Sequence, residues 1–449
     1  MPNLFAEASS WLLGENAGEI GNTDVGRLLE ALGYTGATQF DEGGVRSEAL
    51  HRGRLLKTAS RFKRVFELAA PDAPGMISFG AEFDPALADP LHVGLPIVGV
   101  SGVGLSLQEA FQGCIGEGIE YLSQLQTTSD VLESPGQLNQ MAALARSGQD
   151  FLGRLAVHRQ CPEADLLWHR VTRLSDHCEA LLPADLCLRR PPAQQQIKPP
   201  FPLSTGSAAG QSWDAAALHG MLELIERDAA SLWWIGGSQG KSIPPEDEAA
   251  IIAQTLLAQL RAGPSARRSW LLDITTDIGV PSVAAVSCNP DGFGLASGLA
   301  ARPTLGAAVR AAILEMCQCE LAYAVVEAKV RERGETVLNA PDRIHRRRAT
   351  VLNADRCPLL QPSSQRARHL QIGPTDPSGV LRSIVGRLGE LGFEVFGLDL
   401  TRQQFAIPVA RILAPGLQPL PSEIITPRLA HKIAQTGGGA TYTSGIALI

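Results

Sequence analysis

Two acidic pairs are the part of this 449-residue chain best placed to do chemistry. Glu117 and Glu120 form one Glu-x-x-Glu pair, and Glu223 and Glu226 form another. On a helix, positions i and i+3 lie on one face about a turn apart. The first pair stands among Ile115, Ile119 and Leu122, the second among Leu222, Leu224 and Ile225. Carboxylates on such Ala- and Gly-rich helices repel one another unless a cation sits between them. Hard oxygen ligands of this kind suit Mg2+, which is often shared with the phosphates of a substrate. The competing reading is a pair of solvated helix faces, with Glu226 and Arg227 simply exposed, and spacing alone leaves both open. A second signal is STGSAAGQS (204–212), where small residues ahead of a helix let backbone N–H groups cradle an anion.

Other patterns carry less. GGSQGKS (236–242) imitates a phosphate-binding loop, but the pattern needs Gly at the position of Ile235, and the segment runs into Ile243-Pro244-Pro245. No GxSxG occurs, no GxGxxG follows a strand, and no His/Cys constellation suggests a nucleophile. His219, on an Ala-rich helix, reads as a packed or capped residue.

The elements that must position the acidic pairs show an internal echo. SGVGLSLQEAFQGCIGEGIEY (101–121), GSAAGQSWDAAALHGMLELIERD (206–228) and SGLAARPTLGAAVRAAILEMCQ (297–318) share one frame. Gly104 to Glu117, Gly210 to Glu223 and Arg302 to Glu315 are each thirteen residues apart, and Ala110, Ala216 and Ala308 coincide. The echo predicts repeated strand–loop–helix units. Apolar runs at 95–102, 269–288, 393–400 and 407–416 read as strands between helical periods, so the class is mixed, α/β. Residues 1–70 read as an N-terminal helical cap that breaks at Gly33, and 71–449 as the main domain. PPAQQQIKPPFP (191–202) is a break, because repeated Pro removes donors. Residues 341–377 read as a second irregular linker, with Arg346-Arg347-Arg348 in a solvated loop beside Pro341.

Composition narrows the function classes. With 45% hydrophobic and 19% charged residues the chain can bury a sizeable core and is not disordered. A net charge of -7 argues against nucleic acid as a partner. No apolar run is long enough to span a bilayer, and Met1 to Gly14 lacks the basic start of a secretory signal. The eight cysteines (114, 161, 178, 187, 288, 317, 319, 357) are too scattered for a zinc site or disulfide framework, which predicts buried thiols in a reducing cytoplasm.

Taken together, STGSAAGQSWDAAALHGMLELIERDA resembles the signature of the YcaO superfamily, a Ser/Thr-Gly-x-Ala-Ala-Gly loop followed by a helix ending Glu-x-x-Glu-Arg-Asp. SGVGLSLQEAFQGCIGEGIEY is similar to the family's earlier acidic helix, and PVARILAPGLQPLP to its closing strand and Pro-Gly turn. The resemblance extends over roughly residues 90–420.

The resemblance implies ATP and Mg2+ as cofactors and phosphorylation of a peptide-backbone amide oxygen. A Cys, Ser or Thr side chain, a sulfide donor or an amine then attacks, giving an azoline, a thioamide or an amidine. It implies Glu117, Glu120, Glu223 and Glu226 as Mg2+ ligands and Arg227 as a phosphate contact. Gln211, where the family has Asn, and Asp214 would contact ATP, with Arg310 and Glu315 as candidates from the third helix. Val103, Gly113, Tyr121 and Ala215 depart from the family's Lys, Ser, Arg and Glu, which favours, as the alternative, a catalytically weakened scaffold subunit. The ending YTSGIALI lacks the Pro-x-Pro-x-Pro tail of azoline-forming members and shifts the expectation toward thioamide formation. Without a visible leader-binding domain, the expected partners are a precursor peptide and a TfuA-like or E1-like protein, with a homodimer as a candidate assembly.

Overall fold

The computed structural model describes residues 2–15, 23–34, 42–134, 153, 165–263, 265–373 and 375–449; Cys161 and part of the first interhelical stretch lie outside them. The N-terminal elements are α1 (Pro2–Leu12), α2 (Asp24–Ala31) and α3 (Glu42–Ala59), then β1 (Arg64–Leu68), β2 (Ile77–Phe83), β3 (Val98–Gly104) and α4 (Leu107–Gln124). The middle holds β4 (Trp168–Arg173), β5 (Glu179–Pro183), β6 (Ser207–Ala209), α5 (Trp213–Trp234) and α6 (Glu248–Arg261). There follow β7 (Arg268–Asp273), β8 (Ser282–Cys288), β9 (Ala296–Ala301), α7 (Leu305–Arg333) and α8 (Ala340–Val351). The chain closes with α9 (Pro377–Glu390), β10 (Phe396–Asp399), β11 (Val409–Leu413) and α10 (Pro427–Thr436). The class is mixed, as the patterning predicts, and every pair of named strands is antiparallel.

Contacts divide the chain into two units. The first comprises Met1–Leu68, Ile77–Gly220 and Val395–Leu413. It holds a β1-β2-β3 sheet and a five-stranded sheet in the order β5-β4-β10-β11-β6. The N-terminal helices pack here: Phe5 meets Phe111 of α4 at 5.5 Å between ring centroids, and the Arg52 guanidinium lies over the Tyr34 ring. Residues 191–202 hold only a short 3-10 turn at Pro192–Gln194, the break that repeated proline dictates.

The second unit comprises Ala69–Met76, Met221–Glu394 and Ala414–Ile449, with a β7-β8-β9 sheet. Its core gathers Trp233, Trp234, Leu272, Val286 and Leu299. Both indoles are satisfied: Trp233 Nε1–H donates to the Leu359 carbonyl at 2.8 Å and Trp234 Nε1–H to that of Ile446 at 2.7 Å. Glu320, 3% exposed, takes hydrogen bonds from Arg261 (2.6 Å) and Arg267 (3.0 Å), so its buried charge is matched.

One sequence expectation fails here. Residues 340–351 form α8 rather than a linker, because Asn339 and Asp342 make a reciprocal capping box and Pro341 occupies the first turn, where a missing N–H costs nothing. The three arginines therefore lie on a helix: Arg346 pairs with Glu327 and Glu335, and Arg348 is 2% exposed.

The three echoing segments each fold as a strand, a turn and a helix, and the helix caps fall at one position of the frame. Ser106, Ser212 and Thr304 accept the N–H of Glu109, Ala215 and Ala307 at 3.1, 3.2 and 3.3 Å. Glycine brings strand and helix into direct backbone contact. A Cβ at Gly102 would lie 2.2 Å from the Cys114 nitrogen, and one at Gly298 would lie 2.2 Å from Ala312 O and Met316 N. Gly298→Ala is therefore expected to cost about 1–3 kcal/mol by overpacking, read as a lowered denaturant midpoint.

His369 and Asp273 give the second unit a pH dependence. The imidazole Nε2 sits 2.7 Å from an Asp273 carboxylate oxygen, which raises the His369 pKa above its ordinary 6.5 despite partial burial. A raised histidine stabilises the fold below its unfolded value, and that contribution is lost as pH climbs through the folded one. The stability advantage of the native chain over His369→Gln should be present at about pH 5.5 and shrink toward about pH 8.5, measured by denaturant titration.

Candidate active site

In the first unit, α4 buries Ala110, Cys114, Ile115, Ile119 and Leu122, which leaves Glu117 exposed and Glu120 half-buried on the remaining face. Glu120 Oε1 accepts the Ala209 N–H at 2.8 Å, so the helix is tied to β6 at the start of the small-residue loop. Gln211 follows in that loop and is exposed; Asp214 is half-buried in the first turn of α5, where its charge suits the helix N-terminus. Ala215, which departs from the family pattern, is half-buried beside it. Val103 is half-buried on β3 opposite Ser78, and Gly113 is exposed. Tyr121 is half-buried, with the Arg189 guanidinium 4.8 Å above its ring.

In the second unit the middle turns of α5 carry Glu223, Glu226 and Arg227. Arg227 lies 3.5 Å from Glu223 and 3.3 Å from Glu226, and the Glu226 side chain is 7% exposed. Glu315 on α7 accepts the Leu299 N–H of β9 at 3.0 Å. Burial pushes the Glu226 carboxyl up to about 8; Arg227 and Arg302 oppose the shift, and the like charges of Glu315 and Glu223 add to it. Burial likewise raises Glu315, against Arg227 and the Leu299 amide. The same burial disfavours the Arg227 cation, but the surrounding carboxylates outweigh it and hold the guanidinium charged. Among the described residues Arg227 Nε is buried without a hydrogen-bond partner, and Nη1 has only its 3.3 Å ion pair with Glu226.

This arrangement fits a magnesium phosphate. Buried carboxylates in excess call for a cation, and unsatisfied guanidinium N–H groups call for an oxyanion. Among the described residues no three His, Cys, Asp or Glu side chains form a ready-made metal cage. Mg2+ does not need one, since it usually keeps several waters and takes one or two carboxylates beside phosphate oxygens.

Two further positions sort differently. Arg310 precedes Glu315 by five residues, about 140° around the helix, so the two do not share a face. Asp228 completes the Glu-Arg-Asp sequence but points into a structural contact: it is fully buried and accepts the Gln418 N–H at 3.0 Å and Arg428 Nε at 2.9 Å. Arg428 also bridges to Asp277. Arg302 is the residue the sequence reading passed over. It served only to mark the frame, yet its charge acts on both Glu226 and Glu315. The available signal was a cation at the frame position that holds Gly104 and Gly210 in the other two segments.

A family model described as YcaO cyclodehydratase, ATP- and Mg2+-binding, matches residues 101–418. An uncharacterized protein of Methanothermobacter thermautotrophicus is 26% identical over 264 residues, 57% of this chain and 66% of its own length. An uncharacterized protein in the tfuA 3′ region of Rhizobium leguminosarum bv. trifolii is 35% identical over 101 residues, 22% of either chain. Among solved structures, a heterocyclase in complex with substrate and cofactor superposes with a TM-score of 0.63 at 20% identity, covering 86% of this chain and 55% of its own. The structure of YcaO from Methanopyrus kandleri bound with AMPPCP and Mg2+ gives 0.56 at 18%, covering 82% and 89%. The chain thus spans under two thirds of both curated relatives and about half of the heterocyclase. The structural matches share the fold.

Charge burial separates two roles within one helix turn. Asp228→Asn is expected to cost about 3 kcal/mol or more, because it breaks a fully buried pair. Glu226→Gln should leave stability intact near neutral pH, because the fold already disfavours that carboxylate. Paired denaturant titrations of the two variants check both outcomes.

Proposed function

From the premise that this chain belongs to the YcaO family, we propose that it activates a peptide-backbone amide with ATP and Mg2+. ATP supplies the phosphoryl group that makes the amide carbon electrophilic, and Mg2+ neutralises the charge on its phosphates. Glu117 and Glu120 on α4, with Glu223 and Glu226 on α5, are the proposed Mg2+ ligands. Arg227 is the proposed phosphate contact; Nη2 faces Glu223 and Nη1 faces Glu226, which leaves Nε to donate to an oxyanion. Gln211 and Asp214 lie beside and within the first turn of α5 as proposed nucleotide contacts. Arg302 and Glu315 tune the charge around Glu226, and Arg310 is the remaining proposed catalytic cation. Chemistry of this kind relies on positioning and charge neutralisation, since an amide oxygen is a poor nucleophile.

The observation that carries the reading is the guanidinium of Arg227, held charged among buried carboxylates with its buried Nε unmatched among the described residues. The substrate class is a ribosomally made precursor peptide, with modification in the cytoplasm. Thioamide formation with a TfuA-like partner is favoured over azoline formation, and over an E1-like partner, by the rhizobial relative encoded beside tfuA. A second reading, a scaffold subunit that binds peptide without turnover, is favoured by Val103, Gly113 and Tyr121, which remove polar or charged groups from the first acidic segment.

Isothermal titration with a non-hydrolysable ATP analogue tests the assignment. Binding should require Mg2+ and weaken about ten-fold or more in Glu226→Gln, the loss of one charge-assisted ligand. A native chain that binds no nucleotide with Mg2+ present overturns the reading in favour of the scaffold.

A further inference from the structure

A cavity of about 310 Å³ opens in the first unit, lined by His92, Tyr121, Arg189, Pro199, Phe201 and Leu203 among others. Two of its polar groups are incompletely used by the protein. Arg189 donates from Nε to Gln124 Oε1 at 2.7 Å and stacks over Tyr121, but among the described residues it meets no carboxylate. Its neighbour Arg190 shows the contrast: that guanidinium is matched by buried Asp185 at 3.3 Å and by Gln126. Burial accordingly lowers the Arg189 pKa, with only Tyr121 working against it.

His92 is the second group. It is 1% exposed, and its Nε2 lies 2.7 Å from the Gln126 carbonyl oxygen. A carbonyl only accepts, so Nε2 carries a hydrogen. Nδ1 is buried and, among the described residues, has no protein partner. The cavity therefore asks for an anion, beside a wall of Pro199, Phe201 and Leu203. A phosphate ester supplies the anion but leaves that wall uncovered. An amino-acid residue with a carboxylate supplies the anion, and its side chain covers the apolar wall. The volume is at the small end for a ligand site, enough for a residue or two.

We propose that this cavity is a docking pocket for a carboxylate-bearing residue of a peptide, with the carboxylate on Arg189 and the side chain against Phe201 and Leu203. The choice of a peptide as carrier rests on the functional reading above; the demand for an anion beside an apolar wall comes from the cavity. The carboxylate belongs either to the chain terminus or to an Asp or Glu side chain, both of which present it beside an amide.

Titration calorimetry with three peptides decides this: N-acetyl-Pro-Leu-Phe as the free acid, the same peptide as its C-terminal amide, and N-acetyl-Pro-Asp-Leu amide. Binding of the free acid with at least ten-fold weaker binding of its amide assigns the terminal carboxylate; preference for the Asp peptide assigns a side chain. In either case Arg189→Gln should weaken the preferred peptide about ten- to a hundred-fold while its melting temperature stays native. Equal binding of acid and amide, no binding of any peptide, or native affinity in Arg189→Gln overturns the proposal. So does displacement of the peptide by the ATP analogue without Mg2+, which would make the pocket a phosphate site. Mg2+-dependent nucleotide binding measured on the same samples keeps failure of this pocket distinct from failure of the nucleotide assignment.

Discussion

A strand packed on its following helix so closely that no Cβ fits between them, as at Gly298 against Ala312 and Met316, sets the reach of the carboxylates on that helix. Glu315 can then accept a backbone N–H from β9. Within the first unit, Glu120 also accepts a backbone N–H, from β6, the strand of the next segment rather than its own. Each carboxylate is thereby oriented by a main-chain donor, and a main-chain donor cannot change rotamer. Only glycine permits the approach, because any side chain at that strand position would have to displace helix backbone. The Ser or Thr caps at a common frame position fix where each helix starts, and so which residues reach the strand.

What this geometry holds in the second unit is costly to hold. Glu226 and Glu315 lose hydration without gaining a full set of donors, and Arg227 is half-satisfied. The surrounding structure offsets that cost with apolar packing around Trp233 and Trp234 and with fully matched pairs at Asp228 and Glu320. Uncompensated charge in one place and saturated pairs a turn away is the pattern of a site that trades local stability for ligand chemistry.

The legible part of the sequence was the local part. Thirteen-residue spacing and Ser or Thr before an Ala-rich run are signals within one strand–helix segment, and α4, α5 and α7 lie where they predict. The run 269–288 resolves into β7 and β8 because its apolar residues flank a Gly-Val-Pro turn. What escaped was of two kinds. Proline at 341 was taken as a breaker, whereas at a first turn behind Asn339 it starts a helix. The other omissions are long-range: β10 and β11 join β4 and β6 across some two hundred residues, Arg189 reaches Tyr121, and Arg302 acts on Glu226. No periodicity encodes those pairings, since each depends on where the chain returns.

The pairing of Asp228 with Arg428 spans 200 residues. At ordinary rates of synthesis, about 5–20 residues per second, the aspartate leaves the ribosome roughly 10–40 s before its cation exists. Throughout that interval α5 cannot bury Asp228 as a charged group without a partner. The helix that carries Glu226 and Arg227 is therefore among the last parts of the second unit to settle, and the late-made C-terminal stretch acts as the latch that licenses it.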